Sequence, residues 1–255
     1  MVMRIAVSSS TFRRPLAAGE LTQLEWLEGC ASRLDADGVL ADLADFPRTD
    51  SEYTAQLRKI AVDLGLVPFG LDTVGLFERD AGTARETVLA LATSLGALVV
   101  RSPLPAPGEL PPATFVETVA IAKALGRAAK AANVTLLVPQ APGTLGEDLA
   151  AVKHLLKDAD SAWIRPCPRA TAEGLEIGAK QHFPAISVTP DDDVALAVAH
   201  GERPWLILDA PPVERPWEVV AAAMGALRDA AAERRLARAE ISGSGRDRGS
   251  RLEPS

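Results

Sequence analysis

The chain has 255 residues, 47% hydrophobic and 24% charged, with a formal net charge of −7. That is enough chain to bury a large core, and the acidic balance argues against a phosphate-backbone binder, which carries a basic face. Two cysteines, Cys30 and Cys167, are too few for a disulfide framework or a cysteine metal cluster. The apolar stretch at the N-terminus is too short for a signal peptide. No run reaches the ~18 apolar residues of a membrane span. These features predict a cytoplasmic protein with no membrane and no nucleic-acid partner.

In chain order, short apolar runs alternate with helical patterns. The runs are 4–9, 38–43, 66–71, 97–102, 134–139, 162–166, 185–189 and 205–210. Each is mostly apolar rather than alternating, as strands buried on both faces are. Between them, Leu21, Leu24, Leu27, Ala31 and Leu34 fall at helical spacing, as do Tyr53, Leu57, Ile60, Ala61 and Leu64. Segments 83–95, 112–131, 146–157 and 216–239 are rich in Ala, Leu, Glu, Lys and Arg, which favour helix. Shorter helices are expected at 171–180 and 191–199. Start signals precede several, such as Asp50-Ser51 and Arg215-Pro216. Gly65 and Gly96 stand where helices end.

Eight strands alternating with helices predict a single-domain (β/α)8 TIM barrel over residues 1–240. A doubly wound open sheet is the rival, but its first turn is usually glycine-rich, and here it reads SSSTFRRP. Residues 241–255 are Gly, Ser and Arg rich, with little to bury, and read as a disordered tail.

A barrel does its chemistry at the C-terminal ends of its strands. The candidates there are Ser8, Ser9 and Ser10, then Asp42 or Asp45, then Asp72. They continue with Arg101, Gln140, Arg165 and Arg169, Thr189, and Asp209. Arg101 follows an apolar run directly and reads either as an anion ligand or as half of a structural ion pair. Asp209 reads as a ligand, a base or a loop cap, and Asp42 similarly. The hydroxyls at Ser8 to Ser10 either bind a ligand or turn the chain. The acids Asp191 to Asp193 suit a helix N-terminus. His154 and His200 fall on helices, and His182 precedes the seventh strand, so none stands at the expected mouth.

Several passages resemble the sugar phosphate isomerase/epimerase family, the xylose isomerase-like barrels that also include endonuclease IV. They are MRIAVSSSTF, DADGVLADL, SEYTAQLRKIAVDLGLVPFGLD, ATSLGALVVRSP and the KAANVTLLV…PGTLG region. The resemblance spans most of residues 3–230 and implies a divalent metal held by carboxylates and a histidine at the strand ends, easing proton or hydride shift on a sugar. This chain departs at nearly every such position. The fifth-strand glutamate falls at Pro139, or at Val138 or Gln140 if shifted, and the second-strand one at Leu40. The sixth strand offers Arg165 and the seventh offers Ser187 to Thr189; only the eighth keeps an acid, Asp209.

The expectation is therefore a barrel without a metal or other cofactor, binding or acting on a small anionic sugar. Asp209 or Asp42 would be the catalytic base, with Arg101, Arg165, Gln140 and Ser8 binding substrate. The alternative is a non-catalytic relative that binds a ligand or partner. The multi-metal DNA-repair chemistry of endonuclease IV lacks its ligands here. Nothing in the sequence specifies an oligomeric state.

Overall fold

The computed structural model describes residues 3–108, 111–178, 184–200 and 205–244. Eight strands run parallel: β1 (Ile5–Ser8), β2 (Gly38–Asp42), β3 (Val67–Asp72), β4 (Val99–Arg101), β5 (Thr135–Pro139), β6 (Ile164–Cys167), β7 (Ala185–Val188) and β8 (Trp205–Leu208). Around them lie α1 (Arg13–Ala18), α2 (Gln23–Ser32), α3 (Ser51–Asp63), α4 (Gly82–Leu95), α5 (Pro111–Ala132), α6 (Leu149–Ala159), α7 (Ala172–Gly178), α8 (Val194–His200) and α9 (Pro216–Ser244). The architecture is the expected (β/α)8 barrel.

The apolar runs are strands because both faces find cover. Alternate residues point inward and pack on each other: Ala6, Leu40, Phe69, Val99, Leu137, Cys167, Ala185, Trp205 and Ile207 fill the barrel. Phe69 and Trp205 stack there with ring centroids 4.7 Å apart. The intervening residues, such as Ile5, Val39, Val100, Leu136 and Ile186, meet the helices in a second, larger apolar layer. Gly70 meets a steric requirement of the interior. A Cβ there would stand 2.6 Å from both Leu40 and Val99 side chains, just where the β2–β3 register shifts.

Seven neighbouring strand pairs form ladders, in the order β6-β5-β4-β3-β2-β1-β8-β7. The eighth contact, β6 to β7, is an isolated bridge between Arg169 and Ser187. Its bonds run from Ser187 N–H to the Pro168 carbonyl and from Ala170 N–H to the Ser187 carbonyl, each 2.9 Å. The sequence explains the thin seam. A strand residue directs its N–H and C=O to the same side, and the Pro168 carbonyl faces β7. Pro168, and Pro166 of the same parity, therefore lack the donors that would extend that ladder.

Helix ends follow local chemistry. Thr22 and Glu25 form a reciprocal capping box on α2, and Asp50 caps α3. Two short 3-10 turns, Ser9–Phe12 and Leu43–Asp45, follow β1 and β2. The reading of SSSTFRRP as a plain turn needs correction, since Arg13–Ala18 is helical, with Pro15 in its first turn and Gly19 left-handed at its end. The boundary at residue 240 also moves: α9 continues to Ser244, and residues 245–255 lie outside the described residues. His154 and His200 lie on α6 and α8, away from the mouth; His182 is outside the described residues. Among the described residues, no helix is long and apolar enough to cross a membrane.

Candidate active site

The C-terminal ends of the strands surround a cavity of about 270 Å³, lined among others by Asp42, Asp72, Arg101, Gln140, Arg169, Ser187, Thr189 and Asp209. Its centre is Arg101. This side chain ends β4 with only 5% of its surface exposed, and its guanidinium is fully engaged with neighbouring strands. Nε donates to Asp72 Oδ1 at 3.2 Å, and Nη2 donates to Asp72 Oδ2. Nη1 donates to Ser187 Oγ at 2.9 Å and lies 2.7 Å from Asp209 Oδ2. Asp72 stands beside Arg101 because the two are register partners across β3 and β4.

Asp209 is held from its other side by β1. Its Oδ1 accepts from Ser10 Oγ at 2.7 Å, and Ser10 is 2.8 Å from Ser8 Oγ. A second cluster sits at the rim. Asp42 Oδ1 accepts from the Ala44 N–H at 2.9 Å, while Oδ2 pairs with Arg13. Arg13 also reaches Asp45 at 3.4 Å, and Asp45 accepts from Ser9 Oγ at 2.8 Å. On the far side, Arg169 pairs with Asp192 at 2.7 Å, and Asp192 also accepts the Thr189 N–H.

Two carboxylates share the Arg101 charge, and their proton affinities are driven apart. Burial alone would raise Asp209, but the Arg101 guanidinium and the Ser10 and Ser8 hydroxyls outweigh it and hold Asp209 below the ordinary carboxyl value. Burial raises Asp72; Arg101 offsets part of this, and the Asp209 charge opposes the offset. Burial likewise raises Asp42, with the Ala44 N–H and Arg13 offsetting only part. Arg101 itself is held firmly charged: the two aspartates outweigh its burial. The Cys167 thiol below is pushed by burial to about 11 and stays protonated.

The structure sorts the residues expected from sequence. Asp42, Asp209 and Gln140 do stand at the cavity. Arg101 is at the mouth too, but as the buried half of an ion-pair network rather than as a free anion ligand. Arg165 is misplaced by the sequence reading. It pairs in register with Leu137, an inward-packed residue, two positions short of the strand end, and is not among the residues lining the mouth. Arg169, further along the same segment, takes that place. Ser8 is fully buried and bonded to Ser10, and its hydroxyl helps hold Asp209; it is not among the residues lining the cavity. Of the acids expected at a helix N-terminus, Asp193 caps α8 through the Leu196 N–H at 3.0 Å, whereas Asp192 holds Arg169. Arg13 was not foreseen, because its helix was read as a turn.

Among the described residues, two buried polar atoms at this cavity have no hydrogen-bond partner: Gln140 Oε1 and Arg169 Nε. One is an acceptor and the other a donor attached to a cation. Left unmet, each costs about 1–3 kcal/mol, so both are suited to meeting a ligand.

A divalent metal fits this mouth poorly. The strand ends supply Pro139, a protonated thiol and a serine where ligands would stand, and the carboxylates converge on a guanidinium. Among the described residues, no group of three His, Cys, Asp or Glu side chains has the geometry to hold a metal ion.

No family model matches the chain, and no curated protein matches it. Solved structures do. The probable 3-DHS dehydratase AsbF of Bacillus anthracis aligns at 13% identity with a TM-score of 0.69, over 89% of this chain and 99% of that one. D-psicose 3-epimerase of Clostridium cellulolyticum aligns at 10% identity and 0.72, over 90% and 99%. A xylose isomerase-like TIM barrel protein of Mycobacterium smegmatis, solved with magnesium, aligns at 14% and 0.63, over 90% and 98%. The resemblance read from the sequence is thus met at the level of architecture: this chain has the fold of the xylose isomerase-like TIM barrels.

Proposed function

We propose that this barrel is an isomerase or epimerase that moves a proton on a small anionic sugar, using Arg101 as a built-in cation in place of a divalent metal. The observation that carries the reading is the polar mouth itself. Two carboxylates meet one buried guanidinium at a cavity whose rim carries a third, Asp42, and the proton affinities of the three are pushed in opposite directions. Such splitting suits acid–base chemistry.

The roles divide by environment. Asp42 has the raised affinity and an exposed partner, Arg13, whose side chain is 45% accessible and is shared with Asp45. It is the better base: it takes the proton from the carbon beside the sugar carbonyl, and the C–H electron pair moves onto the carbonyl oxygen. The resulting enediolate is stabilised by the positive field of Arg101. Protonated Asp42 then returns the proton to the neighbouring carbon for isomerisation, while the hydroxyl proton of the first carbon passes to the former carbonyl oxygen so that the new carbonyl forms. Asp209, held low and bonded at both oxygens, is a positioning residue for Arg101. Arg169 Nε donates to the substrate's phosphate or carboxylate, and Gln140 accepts from a hydroxyl.

The test uses sugar phosphates and sugar acids that raise the melting temperature of the protein. Incubated in deuterium oxide, a bound substrate should gain deuterium beside its carbonyl, read by NMR. Asp42→Asn should lower that rate at least about 100-fold, the usual weight of general base catalysis, and EDTA should leave it unchanged. Exchange that requires an added metal ion overturns the built-in cation. Ligand binding with no exchange overturns the catalytic reading and favours a binding barrel.

A further inference from the structure

A large cavity lies at the opposite end of the barrel. It is a groove of about 640 Å³ between the N-terminal ends of the strands and the second half of α9. That end of a (β/α)8 barrel ordinarily serves stability. Here α9 is 29 residues long, roughly 44 Å at helical rise, and its outer turns cross the barrel floor.

Charge on this groove runs against the rest of the chain. In a protein of net charge −7, five arginines line it: Arg4 from the start of β1, and Arg228, Arg234, Arg235 and Arg238 from α9. Among the described residues, Asp35 and Asp37 are the acids in the lining. Asp37 is committed to the Ile5 N–H at 2.8 Å, and Asp35 serves Arg228 at 3.4 Å. Arg234 caps a carbonyl of α8, Val198, at 2.7 Å. Among the described residues neither Arg4 nor Arg235 has an ion-pair partner. Arg4 lies over the Trp205 ring at 5.6 Å, and Arg235 bonds only to the Ala231 carbonyl of its own helix. Like charges gathered in a groove repel, and an anion lying between floor and helix relieves that. The volume is that of a small-molecule site.

From this we infer a second ligand site, distinct from the mouth, that binds a phosphate chain between Arg4 on the floor and Arg235 on the helix. Several guanidiniums approaching from two sides suit an extended anion carrying several oxygens, since each can donate in a fork. A single compact phosphate offers fewer oxygens to share among them. A free inorganic chain and a nucleoside triphosphate share this chemistry.

The test is calorimetric titration of the full chain at moderate salt with tripolyphosphate, ATP and orthophosphate. Tripolyphosphate should bind saturably, one per chain, and more tightly than orthophosphate. The double variant Arg4→Ala/Arg235→Ala, at exposed positions, should weaken it by tenfold or more with an unchanged circular dichroism spectrum, while Arg169→Ala should leave it intact. Equal affinity for ATP assigns recognition to the phosphates alone, and tighter ATP adds the nucleoside; both support the site. Orthophosphate binding as well as tripolyphosphate would mean an adventitious ion only and overturn it. So would loss in Arg169→Ala but not in the double variant, which would move the anion to the mouth. Displacement by equimolar duplex DNA would reassign the face to nucleic acid, and no binding would remove the site. None of these outcomes bears on the deuterium-exchange test of the mouth.

Discussion

Arg101 decides both the stability and the chemistry of the mouth. Its guanidinium is the only positive charge shared by the buried Asp72 and Asp209 contacts described above. Replacing it with Met would strand those carboxylates, and uncompensated buried charge typically costs about 3–5 kcal/mol. Urea unfolding of Arg101→Met should show a loss of that order; a change below about 1 kcal/mol would mean the pair carries little. Arg101 is thus tested for stability before it is tested for activity. Asp209 gives a sharper, pH-dependent signature. Its affinity is depressed in the folded state, so its charge stabilises above the ordinary carboxyl value of 3.8. That contribution is lost as pH falls through the folded value. The melting-temperature gap between the native protein and Asp209→Asn should therefore be full near pH 6 and narrow as pH falls below the ordinary carboxyl value of 3.8 and through the depressed folded one. A gap independent of pH would show that Asn removes packing rather than charge. The acids and arginines at the mouth were legible as candidates because they follow apolar runs. Their pairing was not, because the register that sets Asp72 beside Arg101 joins residues 29 apart.

Secondary structure was more legible than chemistry, for a physical reason. A strand covered on both faces must be apolar throughout, so all eight runs announced themselves, and each matches an observed strand to within a few residues. Ends depend on single side chains and were read less well. The second-helix pattern was taken to begin at Leu21, whereas Thr22 is the cap and Gln23 the first helical residue. The signal was present as Thr22 followed by Glu25, each side chain satisfying the other's backbone N–H. Thr22→Ala should cost about 1 kcal/mol, with α2 fraying first in hydrogen exchange. No change in stability would assign α2 wholly to its packing, through Trp26 and Leu27, against the sheet. Helix α1 was missed because six residues are too few to show a period, and Arg13 was missed with it.

Closure of the ring is uneven, and the unevenness falls at the mouth. Seven strand contacts are ladders, while among the described residues the β6–β7 seam is closed by an isolated bridge between Arg169, just past the end of β6, and Ser187. Prolines at 166 and 168 account for this by removing donors on the side facing β7. The two residues of that bridge also serve the site: Ser187 accepts from Arg101, and Arg169 carries the unpartnered Nε. A ligand that engages Arg169 would therefore tie the seam as well as fill the mouth. Local opening follows the weakest set of backbone bonds, so native-state hydrogen exchange should find the seam amides of Ser187 and Ala170 less protected than the strand amides of β1 to β4. A ligand held at the mouth should slow exchange at Ser187 and Ala170 more than at β2, because binding to the closed form alone shifts that local equilibrium. Uniform protection around the ring, or slowing that spares the seam, would show that the missing donors are made good elsewhere and that Arg169 does not couple the site to closure.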